Sequence, residues 1–286
     1  ESYTLGLYDE LDSIGDRQLE SITSNNYEKW LGLSGTYTEK KFELLNNQNF
    51  KFIYDYPVSK AQEDGVVNKT NIFLYPIQLY NTKDIPNSRG YWSEAEQYNW
   101  LDTKIASLKN KSFALYSKMN QIEKDSLDYE IIRKEWRSVL KSKEFLESSP
   151  TNKNSRMNIT YNLRSTIDFA KKLSQQLLAN PNNKVLVFAQ RVNVLKEICG
   201  DSVYAEKAPI SILDDFNNNK TRLLGGAKKL ERGVNLVGLN NGIFQSFDSN
   251  QSTNLQRLGR LLRLPVDEVA DIHIIVSYYM KNGKIE

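Results

Sequence analysis

The sequence predicts an α/β fold built on a parallel sheet, and three observations predict it. Short apolar strings alternate with helix-length segments through the second half of the chain, the rhythm of strand–helix–strand units. Lys184-Val185-Leu186-Val187-Phe188-Ala189 is apolar without alternation, as a strand covered on both faces must be. Asp9-Glu10-Leu11-Asp12 follows the alternating string Tyr3–Tyr8 directly. Its carboxylates therefore stand at a strand's carboxyl end, where open α/β sheets bind ligands.

Composition frames what such a fold can do. The chain has 286 residues, 40% apolar and 26% charged, enough for two modest domains. Its longest apolar strings are strand-sized, so no membrane span is expected, and no basic-apolar-small signal sequence is expected either. The first residue is Glu1, the expectation for a fragment or a processed product. One cysteine, Cys199, excludes an internal disulfide and a cysteine-based zinc site. A reducing cytoplasm is the expected setting. The single histidine, His273, lies in an apolar run and reads as a strand residue. A formal charge of +3 permits a nucleic-acid partner without requiring one.

The elements follow in order. Residues 3–8 form a strand. An Asp at its end can hold Mg²⁺ and an adjacent Glu can orient an attacking water; equally, Asp12 or Ser13 can cap a helix. Residues 16–29 read as a polar helix and Trp30–Leu33 as a strand ending in Ser34-Gly35-Thr36, a simple turn or a relay beside a phosphate site. Phe50–Tyr56 reads as a strand, and 57–67 as a short helix stopped by Gly65. Asn71–Leu79 reads as a strand with Pro76 suggesting an edge or a bulge, and 81–91 as loop. From Ser93 to about Ser149 the chain is helical and charged, with Ser93 and Glu96 at capping-box positions. Leu127, Ile131, Ile132, Trp136, Val139 and Leu140 give that stretch an apolar stripe. Pro150–Ser155 is a linker and 156–179 one amphipathic helix. Then come the strand 184–189, the helix 191–199, the strand 223–227, a short helix over 229–236, the strand 242–247 and the strand 271–279.

Before that last strand lies Gln256-Arg257-Leu258-Gly259-Arg260-Leu261-Leu262-Arg263. On a helix, Gln256, Arg260 and Arg263 share one face at i, i+4 and i+7. Two guanidiniums so placed can fork onto the oxygens of a polyphosphate, although a solvated basic face would look the same. Gly259 allows close packing against that turn.

Taken together these stretches resemble the carboxyl-terminal part of a superfamily 2 helicase or translocase, of phage or viral type. Asp9-Glu10-Leu11-Asp12 resembles the DExD/H box (motif II), and Ser34-Gly35-Thr36 resembles motif III. Tyr56–Gly65 is similar to the exit from a first RecA-like domain. Val185–Phe188 with Gln190 resembles motif IV, Lys229–Leu236 motif V, and Gln256–Arg263 motif VI. The resemblance implies that residues 1–68 are the later portion of one RecA-like domain. It implies that 69–286 form a second, with a helical insertion at about 93–150. It implies ATP and Mg²⁺ as cofactors and nucleic acid, DNA before RNA, as partner. Asp9 would hold Mg²⁺ and Glu10 would position the hydrolytic water. Ser34 and Thr36 would couple nucleotide and nucleic-acid sites. Gly233, Asn235 and Gln256 would line the nucleotide cleft, and Arg260 and Arg263 would reach the γ-phosphate.

Two departures from the pattern matter. No Gly-x-x-x-x-Gly-Lys-Ser/Thr occurs in the chain, so an upstream helicase half carrying the phosphate loop is expected as a partner. The chain alone is then expected to be inactive. The alternative function is a helicase-derived module that binds nucleic acid or a partner without hydrolysis. Asn235 stands where many relatives carry Asp, which removes a charge and keeps hydrogen-bonding capacity. The expected location is cytoplasmic, in the host were the source viral.

Overall fold

The structure is a computed structural model. It describes residues 3–8, 15, 24, 27–34, 43, 45–47, 50–51, 53–88, 90–206, 208–227, 234–246, 259, 261 and 263–285. The chain divides into two compact units, Glu1–Lys69 with Asp248–Val269, and Thr70–Phe247 with Ala270–Glu286.

In the first unit β1 (Tyr3–Tyr8) pairs in parallel with β2 (Tyr27–Gly32), with Gly6 opposite Trp30. A Cβ on Gly6 would come within 2.5 Å of the Trp30 ring, so only glycine lets the indole lie across that strand. The strand β2 starts at Tyr27, earlier than expected, and the remainder of the expected helix over 16–29 lies largely outside the described residues. The expected strand Phe50–Tyr56 is not seen among the described residues, which carry no ladder pairing and leave Ile53 and Tyr54 exposed. Apolar alternation alone makes no strand when no neighbouring strand accepts its hydrogen bonds. Helix α1 (Val58–Glu63) buries Ala61, and Gly65 at φ +66° takes the left-handed turn after it. Asn68 is fully buried. Its Nδ2 donates to Lys69 O (3.0 Å) and Leu261 O (3.2 Å), joining the 261 segment to this unit.

The second unit is built on a six-stranded sheet, order β3-β10-β9-β6-β8-β7. Its strands are β3 (Lys69–Gln78), β6 (Val185–Phe188), β7 (Val203–Tyr204), β8 (Leu223–Gly226), β9 (Asn241–Phe244) and β10 (Val269–Tyr278). The pairs β10–β9, β9–β6, β6–β8 and β8–β7 are parallel. Asn71 bonds Asp271 near one end of the β3–β10 pair and Leu79 N bonds Tyr278 O at the other, so β3 runs the same way. β3 is an edge strand, as Pro76 requires. Every residue of β6 and β9 is buried, the physical reason for the unbroken apolar string at 185–189.

Residues 81–91 are not simply loop: β4 (Ile85–Asn87) and β5 (Gly90–Trp92) form a small antiparallel hairpin. Ser93 then opens α2 (Glu94–Met119) with the expected capping box, its hydroxyl accepting from Glu96 N and Glu96 accepting from Ser93 N. Helix α3 (Leu127–Glu147) packs back along α2 through Tyr116 against Trp136 and Lys111 with Glu135. Of its expected apolar stripe, Val139 is buried and Ile132, Trp136 and Leu140 are half-buried, but Leu127 and Ile131 face solvent.

The single helix expected over 156–179 is two, α4 (Arg156–Tyr161) and α5 (Arg164–Leu178). Asn162 caps the first and extended Leu163 precedes the second. Helix α6 (Val192–Cys199) ends at Gly200, φ +63°. Helix α7 (Ser211–Asn217) and the strand β7 had no expectation. Val234–Leu236 are not helical, and the rest of the expected helix over 229–236 lies outside the described residues. Beyond β10, β11 (Met280–Lys281) pairs with β12 (Lys284–Ile285).

Candidate functional site

Parallel strands point all their carboxyl ends to one edge, and there the chain can no longer satisfy its polar groups through the ladder. In the second unit this edge carries Gln190 and Arg191 after β6 and Gln245 and Ser246 after β9. The N-terminus of α5 joins them. Gln245 N donates to Phe188 O (3.0 Å), and its side-chain Nε2 donates to Thr166 Oγ1 (2.8 Å), which donates to Leu163 O (2.9 Å).

The first turn of α5 has no cap of its own. Glu94, buried and seventy residues earlier, supplies one. Its carboxylate accepts from Ser165 N (3.2 Å), from Arg164 N and from Tyr80 N (3.0 Å). A negative group at a helix N-terminus is favoured by the helix dipole and by the free amides. Arg191 is held in turn: Nη2 donates to Asn158 Oδ1 and the guanidinium lies 5.7 Å over the Tyr161 ring. Asn158 is fixed by donating from Nδ2 to the carbonyls of Ser149, Pro150 and Asn152.

Against this organised frame, Ser165 Oγ, Gln245 Oε1 and Ser246 Oγ are buried without a hydrogen-bond partner among the described residues. Each such group costs about 1–3 kcal/mol, so three on one edge mark a place where the fold leaves buried polar groups unsatisfied. The two hydroxyls can donate or accept and the amide oxygen can only accept; they supply no charge and no nucleophile activation.

Of the residues the sequence singles out, three fall within the described chain. Ser34 is exposed just beyond β2, where Leu33 N bonds Tyr8 O (2.8 Å). Asn235 is exposed, and its segment is clamped. Asn217 Nδ2 donates to Asn235 O (3.2 Å), Asn217 Oδ1 accepts from Val237 N (2.9 Å), and Lys184 Nζ donates to Val237 O (2.9 Å). Lys184 also lies 4.5 Å over the Phe216 ring, and burial pulls its ammonium below the usual lysine range. Arg263 is exposed in a turn just after helical Leu261. A Cβ on Gly259 would meet no described atom within 4 Å, so the close packing expected there is not seen. Asp9, Glu10, Thr36, Gly233, Gln256 and Arg260 lie outside the described residues. Ser34 and Arg263 belong to the first unit and Asn235 to the second. Among the described residues no group of three His, Cys, Asp or Glu could hold a metal, and no helix is long and apolar enough to cross a membrane.

Sequence reading missed Ser165, Thr166, Gln245 and Ser246. The last two fall inside the expected strand 242–247, which ends at Phe244, so the rule that drew attention to Asp9 and Glu10 did not reach them. The hydroxyls of α5 had no such flag, because their position depends on a helix break that sequence did not reveal.

No curated protein matches the chain. Among solved structures it is similar to the Pyrococcus furiosus Hef helicase domain, at 14% identity over 97% of this chain and 72% of that one, TM-score 0.49. It is similar to the C-terminal part of the Fun30 ATPase domain, at 14% identity over 73% and 85% of the two chains, TM-score 0.45. It is also similar to the Sulfolobus solfataricus SWI2/SNF2 ATPase core in complex with dsDNA, at 13% identity and TM-score 0.39. That match covers 97% of this chain and 64% of the core. Residues 168–265, from the first turns of α5 to the loop before β10, match the family model of the helicase conserved C-terminal domain.

Proposed function

We propose that the chain is the carboxyl-terminal part of a superfamily 2 helicase or translocase that couples ATP hydrolysis to movement on nucleic acid, DNA in the first instance. The observation that carries this reading is the helicase C-terminal match over 168–265. The carboxyl edge of its parallel sheet, which carries Gln190 and the partly exposed Arg191, is where open α/β sheets bind ligands and supports a role in contacting a phosphate or sugar backbone.

In this reading the upstream half supplies the phosphate loop. Asp9 offers the hard carboxylate oxygens that Mg²⁺ prefers, and the ion would neutralise phosphate charge. Glu10 would orient the attacking water, and Ser34 and Thr36 would couple the two sites. Gly233, Asn235 and Gln256 would line the nucleotide cleft. Arg260 and Arg263 would fork onto the γ-phosphate oxygens as charge develops, a contribution of roughly 10³–10⁵ in rate for an arginine so placed. Backbone contacts would make binding salt-sensitive and largely indifferent to sequence.

The test is nucleic-acid-stimulated ATPase activity of the 286-residue chain, alone and with an upstream helicase half restored, beside Arg263→Ala. Activity only in the restored protein, abolished by the substitution, is expected. No activity in either form, with nucleic-acid binding intact, would replace this reading by its alternative, a helicase-derived binding module. That alternative draws on the lack of a Gly-x-x-x-x-Gly-Lys-Ser/Thr within residues 1–286.

A further inference from the structure

A second site lies in the same unit, where the chain leaves β10. A cavity of about 290 Å³ opens between the start of α2, the start of α4 and the end of β10. Its walls include Tyr98, Asp102, Arg156, Ser277, Tyr278 and Tyr279. None of these residues takes part in the polar edge described above. The Asp102 carboxylate joins two of the walls, bonding Arg156 Nη2 through Oδ1 and accepting from Tyr279 OH (3.1 Å) through Oδ2. Tyr98 and Tyr279 lie with ring centres 5.8 Å apart, tilted at 54°.

We propose that this cavity binds a single neutral nucleobase, its ring against the tyrosines and its carbonyl oxygen on the guanidinium edge of Arg156. Size, charge and hydrogen-bond supply each narrow the ligand. The volume is at the floor of small-molecule pockets, about 300 Å³, which suits one small ring-bearing group and excludes a stretch of strand. Arg156 and Asp102 cancel, so the cavity offers a phosphate no net positive charge and burying one there would go uncompensated. Asp102 takes Nη2 of Arg156, whose side chain lines the cavity; a guanidinium carries five N–H donors, so this wall suits an acceptor. Ser277 adds a hydroxyl that can donate or accept. Aromatic walls with a guanidinium and a hydroxyl are the chemistry by which splayed-out bases are held. The base can arrive as a free nucleoside or on a single strand. Only the strand source rests on the proposed nucleic-acid function.

The experiment titrates thymidine into the 286-residue chain by saturation-transfer NMR, with inorganic pyrophosphate as competitor. In parallel it measures a ten-residue oligothymidine by fluorescence anisotropy. Thymidine is expected to saturate a single site that pyrophosphate does not clear. Tyr98→Leu and Arg156→Gln should each weaken it by about tenfold or more. Ser277→Phe fills the cavity from a half-buried position and should abolish binding, which keeps the test decisive if the other two variants do not fold. Displacement by pyrophosphate, or thymidine binding unchanged in folded Ser277→Phe, would overturn the site. Oligothymidine binding without thymidine binding would overturn it too and leave the nucleic-acid reading standing. Thymidine binding with no strand binding would keep the site as a nucleoside pocket and remove the strand source.

Discussion

The helical hairpin of α2 and α3 and the central strands of the six-stranded sheet are held together in different ways. Strands β6 and β9 bury every residue, and Phe188 and Phe244 pack at 4.8 Å in a core covered on both sides. The hairpin buries Leu101, Ile105, Leu115 and Met119 from α2 but only Val139 from α3, while Phe113 is 73% exposed and Leu127 78%. Half-buried Ile132, Trp136 and Leu140, a capping box and surface ion pairs supply the rest. Exposed pairs contribute little, so the sheet is the cooperative core of its unit and the hairpin is the part that opens first.

The largest effect expected from that contrast compares two phenylalanines. Phe244→Ala removes a fully buried ring and should destabilise the protein by about 3–5 kcal/mol. Phe113→Ala should change stability by no more than about 0.5 kcal/mol. Denaturant melts of the two variants measure both. Equal losses would mean that the outer face of α2 is covered in solution, and the hairpin would then count as core.

A second comparison uses the only cysteine. Cys199 is buried beneath Gly225, whose missing Cβ would lie 3.3 Å from the sulfur. Burial pushes its thiol up to about 12, so almost no thiolate exists at neutral pH. A maleimide should therefore label it only through opening of the sheet, many-fold more slowly than an unfolded control. A cysteine placed on the hairpin, as Ser138→Cys, should label at once. Rapid labelling of Cys199 in the native protein would place α6 and β8 among the early-opening elements.

A smaller effect separates local from distant capping. Ser93→Ala should cost about 1 kcal/mol and raise amide exchange in the first turn of α2. Glu94→Gln leaves the cap of α5 uncharged, and its exchange signature should appear seventy residues away, in the first turn of α5. If both substitutions loosened only α2, the carboxylate of Glu94 would not be what holds Ser165 N.

That pair of caps also explains what was legible in the sequence. Ser93 and Glu96 act within one turn, so their spacing announced the start of α2. The start of α5 depends on Glu94, brought in by the fold, and no local pattern announced the break at Asn162 and Leu163. Buried parallel strands were legible because burial on both faces leaves an unbroken apolar string. The two- and three-residue strands β4, β5 and β7 were not, because so few residues carry no period. The site divides in the same way. Ser34, Asn235 and Arg263 were singled out by local pattern or resemblance and lie in exposed segments, whereas the buried hydroxyls of α5 and the amide of Gln245 meet only through tertiary contact.

His273 tests the opposite flank of the sheet, where β10 meets β3, and its effect is the smallest. The ring is buried and stacks on Phe73 at 5.1 Å. Asn241 Nδ2 donates to Asn240 Oδ1 (3.0 Å), which turns Asn241 Oδ1 towards the histidine as an acceptor. Nε2 therefore carries the proton, at 3.2 Å from that oxygen, and Nδ1 accepts from Tyr75 OH at 3.0 Å. Burial lowers the imidazole below its usual value of about 6.5, with Asp271 opposing. The folded state thus binds fewer protons than the unfolded chain once pH falls below that value. Stability from the neutral ring is complete above about pH 6.5 and is lost as pH drops from there through the lowered folded value. Thermal melts between about pH 7.5 and 5.5 should show this decline, and His273→Gln, which keeps a polar group but cannot titrate, should flatten it. A wild-type melting temperature that rose on acidification across that window would mean that Asp271 outweighs burial, and that the ring is held charged between β3 and β9.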